Sequence, residues 1–200
     1  MHGMRTNLLL ILATFSLLAV SLVAQTAKPA APKPAAAAAQ PRTAAASGYK
    51  PSATVKEIMD YIVIPSSEAL FNAVSSTSGA NGVENKAPKT DADWAAVRER
   101  ALLLAEAGNL LMVPGRHVAS PKDKSNNPGS ELEPAQMDAL VAKSPAIFAQ
   151  KAAGIRAAAL IALKAIDAKD VEGLSNAGGD IDEACESCHL VFWYPEEKKK

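Results

Sequence analysis

The stretch Cys185-Glu186-Ser187-Cys188-His189 constrains this chain more than any other. It holds both cysteines of the protein, two residues apart, with a histidine directly behind the second. That spacing is the one used to attach a c-type haem. On a helix, thiols at i and i+3 lie on one face, so each can form a thioether with one porphyrin vinyl group. His189 can then turn its imidazole onto the iron as the proximal ligand. A CxxC pair also suits a redox dithiol, half of a zinc site or a short disulfide. A zinc site needs about four ligands, and there is no second Cys/His cluster to supply them. A thioredoxin-like pair expects a strand running into a helix, whereas this pair ends a helical pattern near the C-terminus. A disulfide closing so short a loop would restrain little of the unfolded chain.

The apolar periodicity around the motif is helical. Val171, Leu174, Gly178, Ile181, Cys185, Cys188 and Phe192 recur at spacings of three and four, so the cysteines share the stripe that faces a core, and a haem would sit among helices. Gly178-Gly179 within the stripe marks either a close approach of a neighbour or the start of a shorter helix at Asp180. Pro195 ends the pattern. Abundant alanine and few aromatics favour helices over a β-sandwich.

Upstream, the chain separates into segments. Arg5 followed by the uncharged run Leu8 to Ala24 predicts a signal peptide over residues 1–24, cleaved after Ala24 or Ala27 or kept as an N-terminal anchor. Either outcome places the rest outside the cytoplasm, in the periplasm. Residues 25–50 are rich in alanine and proline and predict an extended linker, which becomes a membrane tether if the leader is retained. Residues 51–197 form the folded domain. With 48% hydrophobic residues in 200, there is room for one domain beside these segments. The formal net charge is zero, so the charge total gives no reason for a nucleic-acid partner.

Within the domain, Thr54-Val55-Lys56-Glu57 is a capping box opening a helix with a stripe at Val55, Ile58, Met59, Ile62, Ser66, Ala69 and Ala73, which Pro65 kinks or divides. Ser75 to Lys89 reads as a loop. Thr90 caps a second helix lined by Trp94, Val97, Ala101, Leu104, Gly108 and Leu111 and stopped by Pro114-Gly115. A polar connection from Arg116 to Glu133 holds no core residues, and Pro134 opens a third helical stretch. Unbroken, that stretch would run about 50 Å at 1.5 Å per residue, which favours a break at Ser144-Pro145. His117 is an exposed loop histidine, Arg98 and Arg116 are candidates for pairing with haem propionates or for surface ion pairs, and Trp94 and Trp193 are packing residues. No nucleophile triad, phosphate loop or carboxylate pair points to catalysis, and a peroxidase would need a distal base that no second histidine supplies.

With these features in hand, the chain resembles the class II cytochromes c, the cytochrome c′ group, over roughly Val55 to Pro195. The resemblance rests on the CESCH motif with Leu190-Val191-Phe192-Trp193-Tyr194-Pro195 behind it, on the run Ala105-Glu106-Ala107-Gly108-Asn109-Leu110-Leu111-Met112-Val113-Pro114-Gly115-Arg116, and on a first-helix methionine. It implies an all-α, antiparallel four-helix bundle with one haem c covalently bound on the C-terminal helix. In the low-spin relatives a first-helix methionine binds the iron, and Met59 holds the matching position. Otherwise Met59 is core filler; Met112 and Met137 are weaker candidates. The implied function is non-enzymatic: single electrons carried between redox partner proteins, or, without a distal ligand, binding of nitric oxide or other small gases. Some relatives pair as homodimers through their first two helices.

Overall fold

The structure, a computed structural model, describes residues 48–80 and 82–195. The leader over residues 1–24 and almost all of the linker over 25–50 lie outside the described residues, as does the extreme C-terminus.

The fold is mostly helical with one small two-stranded sheet. The first helical segment begins as α1, Val55–Ile58, passes through a π-helical turn at Met59–Val63, and resumes as α2, Ile64–Phe71. Thr54 caps it as expected: its hydroxyl accepts from the Glu57 N–H at 3.1 Å while the Glu57 carboxylate accepts from the Thr54 N–H at 2.7 Å. The π-turn answers to Pro65. Proline has no N–H to give the carbonyl four residues back, and its ring crowds that carbonyl. The preceding turn widens instead, and the Ile64 N–H bonds to the Met59 carbonyl, five residues back.

The wider turn corrects the expected stripe. The buried residues here are Ile58, Val63, Ser66, Ser67, Leu70 and Ala73. The step from Ile58 to Val63 is five residues, so Val63 and Leu70 take the inward places that an unbroken 3.6-residue period assigns to Ile62 and Ala69.

Ser75–Lys86, expected as loop, contains an antiparallel hairpin of β1, Ser75–Gly79, and β2, Gly82–Lys86. Gly82 at φ 108° supplies a turn conformation that suits glycine. Every residue in both strands is exposed. With no apolar alternation to bury a face, the hairpin carries no period-2 signal.

Helix α3, Asp91–Leu111, is opened by a second capping box in which Thr90 and Asp93 exchange bonds. Arg116 closes it: its guanidinium donates to the Leu110 carbonyl at 2.9 and 3.2 Å and to the Ala53 carbonyl. Positive charge there also offsets the helix dipole. Helix α4, Pro134–Lys143, and helix α5, Pro145–Asp167, are separate, divided at Ser144 with φ −134° and ψ 52°. A residue preceding proline is held out of the helical region, which is why the break falls there. Helix α6, Val171–Phe192, runs unbroken through Gly178-Gly179, so no shorter helix starts at Asp180. A Cβ at Gly178 would sit 3.7 Å from the Phe71 ring, an ordinary contact.

The α1–α2 segment packs on α3 and α6, α3 packs on α5, and α5 packs on α6, so these four segments close a ring around a common core. Ala101, Leu104, Ile155, Ala159, Leu174, Ala177 and Ile181 fill it. Helix α5 is long and apolar enough to span a membrane by length and composition. Its Ala152, Ile155, Ala159, Ala162 and Ile166 lie in this core, while Ile147, Leu160 and Ile161 on its other face are exposed. The connection from Arg116 to Glu133 is less polar in place than in composition: Val118, Ala119 and Leu132 are buried. Its carbonyls at His117 and Val118 accept from the first N–H groups of α1, at 2.9 and 2.8 Å, and the Leu132 N–H donates to the Trp193 carbonyl at 2.8 Å. The connection thus acts as a strap joining the first helical segment to the end of the last.

Candidate functional site

Between these helices lies a cavity of about 470 Å³, within the range of roughly 300–1,000 Å³ common for cofactor sites. Helix α6 sends Cys185, Cys188, His189 and Phe192 to its wall, and the π-turn sends Met59 and Val63. Helix α5 adds Phe148, Ala152 and Ile155, and the strap adds Val118 and Ala119. Phe148 and Phe192 meet edge to face with centroids 5.3 Å apart, fixing two large apolar surfaces in that wall. The rim is polar, with Lys56, Asp123, Lys124, Ser125 and Asn126.

All four residues singled out in the sequence therefore meet at one cavity. Helical spacing accounts for the three from α6, since Cys185 and Cys188 lie on the stripe that buries Leu174 and Ile181. Met59 arrives from the first helical segment, far from α6 in sequence. Met137 of α4 also reaches the wall, which raises its standing as a sulfur donor, whereas Met112, the C-cap of α3, does not line it. Arg98 and Arg116 are engaged elsewhere, Arg98 with Asp167 at 2.7 Å and Arg116 with backbone carbonyls. His117 is exposed, with its Nδ1 3.1 Å from Asp138, and Trp94 is buried, both as expected.

The electrostatics of α6 decide what its thiols suit. The cysteines are free of any disulfide. Burial raises the Cys185 thiol above its usual range, helped by the negative charge of Asp182. Burial pushes the Cys188 thiol up to about 11, with Cys185 adding to it. A redox dithiol works through a lowered thiol pKa, the opposite of this environment. Among the described residues no three His, Cys, Asp or Glu side chains converge as a metal-binding group, which leaves a zinc site without its donors. Burial lowers the His189 imidazole, against a smaller opposing pull from Glu186, so it is held neutral, the form that offers a lone pair.

The residues behind His189 do more than the sequence signalled. The His189 carbonyl accepts from the Trp193 and Tyr194 N–H groups at 2.9 and 3.0 Å, folding the chain end back over the imidazole. The Trp193 ring stands edge to face with it, centroids 4.9 Å apart. The Tyr194 hydroxyl lies 3.3 Å from His189 Nδ1 and donates to Glu186 at 2.5 Å. Trp193 is therefore more than packing: its main chain holds the strap and its ring holds the histidine. Pro195, which blocks continuation of the helix, was the one sequence sign of this return.

The donor set fits a covalent haem. Two thiols and an imidazole from one helix, a thioether from another and an apolar, aromatic wall converge on one cavity. Comparison of the chain with protein-family models, with curated proteins and with solved structures finds no match in any of the three.

Proposed function

We propose that the chain is an exported monohaem c-type cytochrome that carries single electrons between redox partner proteins and catalyses no reaction of its own. Cys185 and Cys188 hold the haem c by thioethers, His189 is the proximal ligand and Met59 the distal one. The observation that carries this reading is the convergence of Met59 with the CESCH residues on one apolar cavity, although no local sequence relation joins them. The ring formed by the α1–α2 segment, α3, α5 and α6 supports a four-helix bundle of the class II cytochrome c type, with α4 as an extra short helix between its members.

Bound iron supplies a one-electron couple, and a thioether opposite imidazole raises its potential. The protein supplies the rest. Phe148, Phe192, Val63 and Ile155 give the cavity an apolar lining, which would limit solvent contact with a bound metal. Lys56 and Lys124 line the cavity together with Asp60, Asp123, Glu131 and Asp182, and with Lys56 ion-paired to Asp60, Lys124 would be the cation for a haem propionate. The neutral His189 presents its lone pair without first losing a proton.

Protein matured in a host able to attach haem should show a Soret band and a mass exceeding that of the polypeptide by one haem. Low-spin bands with a methionine-to-iron charge-transfer band are expected, and Met59→Ala should convert them to a high-spin ferric spectrum while Met137→Ala leaves them unchanged. A polypeptide-only mass with no Soret band refutes the haem. A high-spin wild-type spectrum that responds to nitric oxide or carbon monoxide moves the function to gas binding.

A further inference from the structure

We infer that Tyr194, itself held by Glu186, is the positioning residue for His189: it fixes the imidazole tautomer and sets how strongly that imidazole donates to a bound iron. The inference rests on the haem reading above and adds a role to two residues outside the attachment motif's fixed positions.

The argument is one of proton accounting. Tyr194 has a single hydroxyl proton, and an ionised carboxylate only accepts. At 2.5 Å the hydroxyl gives that proton to Glu186 Oε2. The same hydroxyl oxygen keeps its lone pairs, and His189 Nδ1 lies 3.3 Å away, a long but available contact. A hydrogen bond along that line requires the proton on Nδ1. Nε2 is then left bare, and a bare nitrogen is what an iron ligand must offer. The relay Glu186–Tyr194–His189 thus selects one tautomer before any metal is present, and an acceptor behind the ring raises the basicity of the ligating nitrogen.

The backbone shows why these residues meet. Glu186 lies three residues before His189 and on the neighbouring helical face, while Tyr194 is placed by the turn in which its own N–H bonds to the His189 carbonyl. Pro195 prevents that turn from continuing as helix. Trp193 packs against both partners, its ring centroid 4.9 Å from that of His189 and 5.1 Å from that of Tyr194, so the three rings form one cluster that holds the imidazole beside the Tyr194 hydroxyl.

A more basic imidazole favours the ferric state and lowers the reduction potential. The test is a spectroelectrochemical titration of full-length, haem-loaded wild type, Tyr194→Phe and Glu186→Gln, with Tyr61→Phe as control because Tyr61 is 75% exposed and does not line the cavity. Tyr194→Phe should shift the ferric-to-ferrous equilibrium about tenfold toward ferrous, ~59 mV upward for one electron. Glu186→Gln should shift it the same way by less, and Tyr61→Phe should not move it. The His189 Nδ1–H resonance of the reduced protein should exchange with solvent faster in Tyr194→Phe than in wild type. Intact Soret bands and haem mass with an unmoved midpoint in Tyr194→Phe overturn the positioning role and leave the haem reading standing. A wild type without haem overturns both. Should Tyr194→Phe lose its helical circular dichroism, Glu186→Gln decides: an unmoved midpoint there overturns the role.

Discussion

Replacing Gly108 by alanine tests the packing that spaces the cavity walls. A Cβ built at Gly108 would meet the Arg156 Cβ at 2.8 Å and the Ala152 carbonyl oxygen and Arg156 N at 3.0 Å. Two of those three atoms are backbone, and the third is the fixed root of a side chain, so no rotamer change relieves the clash. Helices α3 and α5 must separate by several tenths of an ångström. Overpacking of this kind costs about 1–3 kcal/mol. Against it stands the gain of up to about 1 kcal/mol from exchanging glycine for alanine inside a helix. The net expectation is a loss of about 1–2 kcal/mol, or a melting temperature lower by roughly 2–8 °C. Gly154 and Gly179, both helical with nothing within 4 Å of the added carbon, are internal controls. Each should gain up to about 1 kcal/mol on the same substitution. Urea unfolding followed by circular dichroism at 222 nm measures all three. Because Leu111 of α3 and Ala152 and Ile155 of α5 line the cavity near this crossing, Gly108→Ala should also broaden the Soret band. A Gly108→Ala protein as stable as the two control variants would refute the close approach.

Acid should loosen the helix starts. Hydrogen bonds from the Thr54 N–H and hydroxyl lower the Glu57 carboxyl, and those from the Thr90 and Lys89 N–H groups lower that of Asp93. A carboxyl with a depressed folded-state pKa contributes stability that is complete above its ordinary pKa of about 4 and is lost as pH falls through the folded value. Stability measured by urea midpoint should therefore fall below about pH 4, and Asp93→Asn should be less stable than wild type near neutrality but lose less of its stability on acidification. In protein produced without haem attachment, Cys188, with its thiol at about 11, should be mostly thiol at pH 8, with thiolate on the order of one part in a thousand. Alkylation followed by mass spectrometry should modify it far more slowly than a small free thiol, and equal rates would contradict its burial.

Much of the helical part could be read from residues alone because the signals were local. Thr54 announces its capping box and Thr90 its cap, and Pro145 divides α4 from α5 by its own stereochemistry. The α6 stripe is legible because twenty-two residues sample six turns of one period. Legibility ended where the determinant was not local. The hairpin over Ser75–Lys86 exposes both faces and so has no alternating pattern to detect. Val118, Ala119 and Leu132 are buried by what surrounds them, while their neighbours in sequence are polar. At the site, the cysteines and His189 followed from spacing. Tyr194 and Glu186 did not, since their relation to His189 depends on how the chain leaves the helix, and Met137 reaches the cavity only through the placement of α4.

The π-turn at Met59–Val63 makes the domain unequally tolerant of changes in chain length. In an α-helix each residue advances the chain by 100° and 1.5 Å. The turn already holds one residue more than an α-helical turn, so removing one would leave Ile58 and Val63 four apart on one helical face, whereas adding one more would swing everything before it by about that angle, carrying Ile58 out of the core and Met59 off the cavity wall. The same insertion between β1 and β2 meets only exposed strand residues on either side. Insertions should thus be accepted between β1 and β2 and rejected between Ile58 and Pro65.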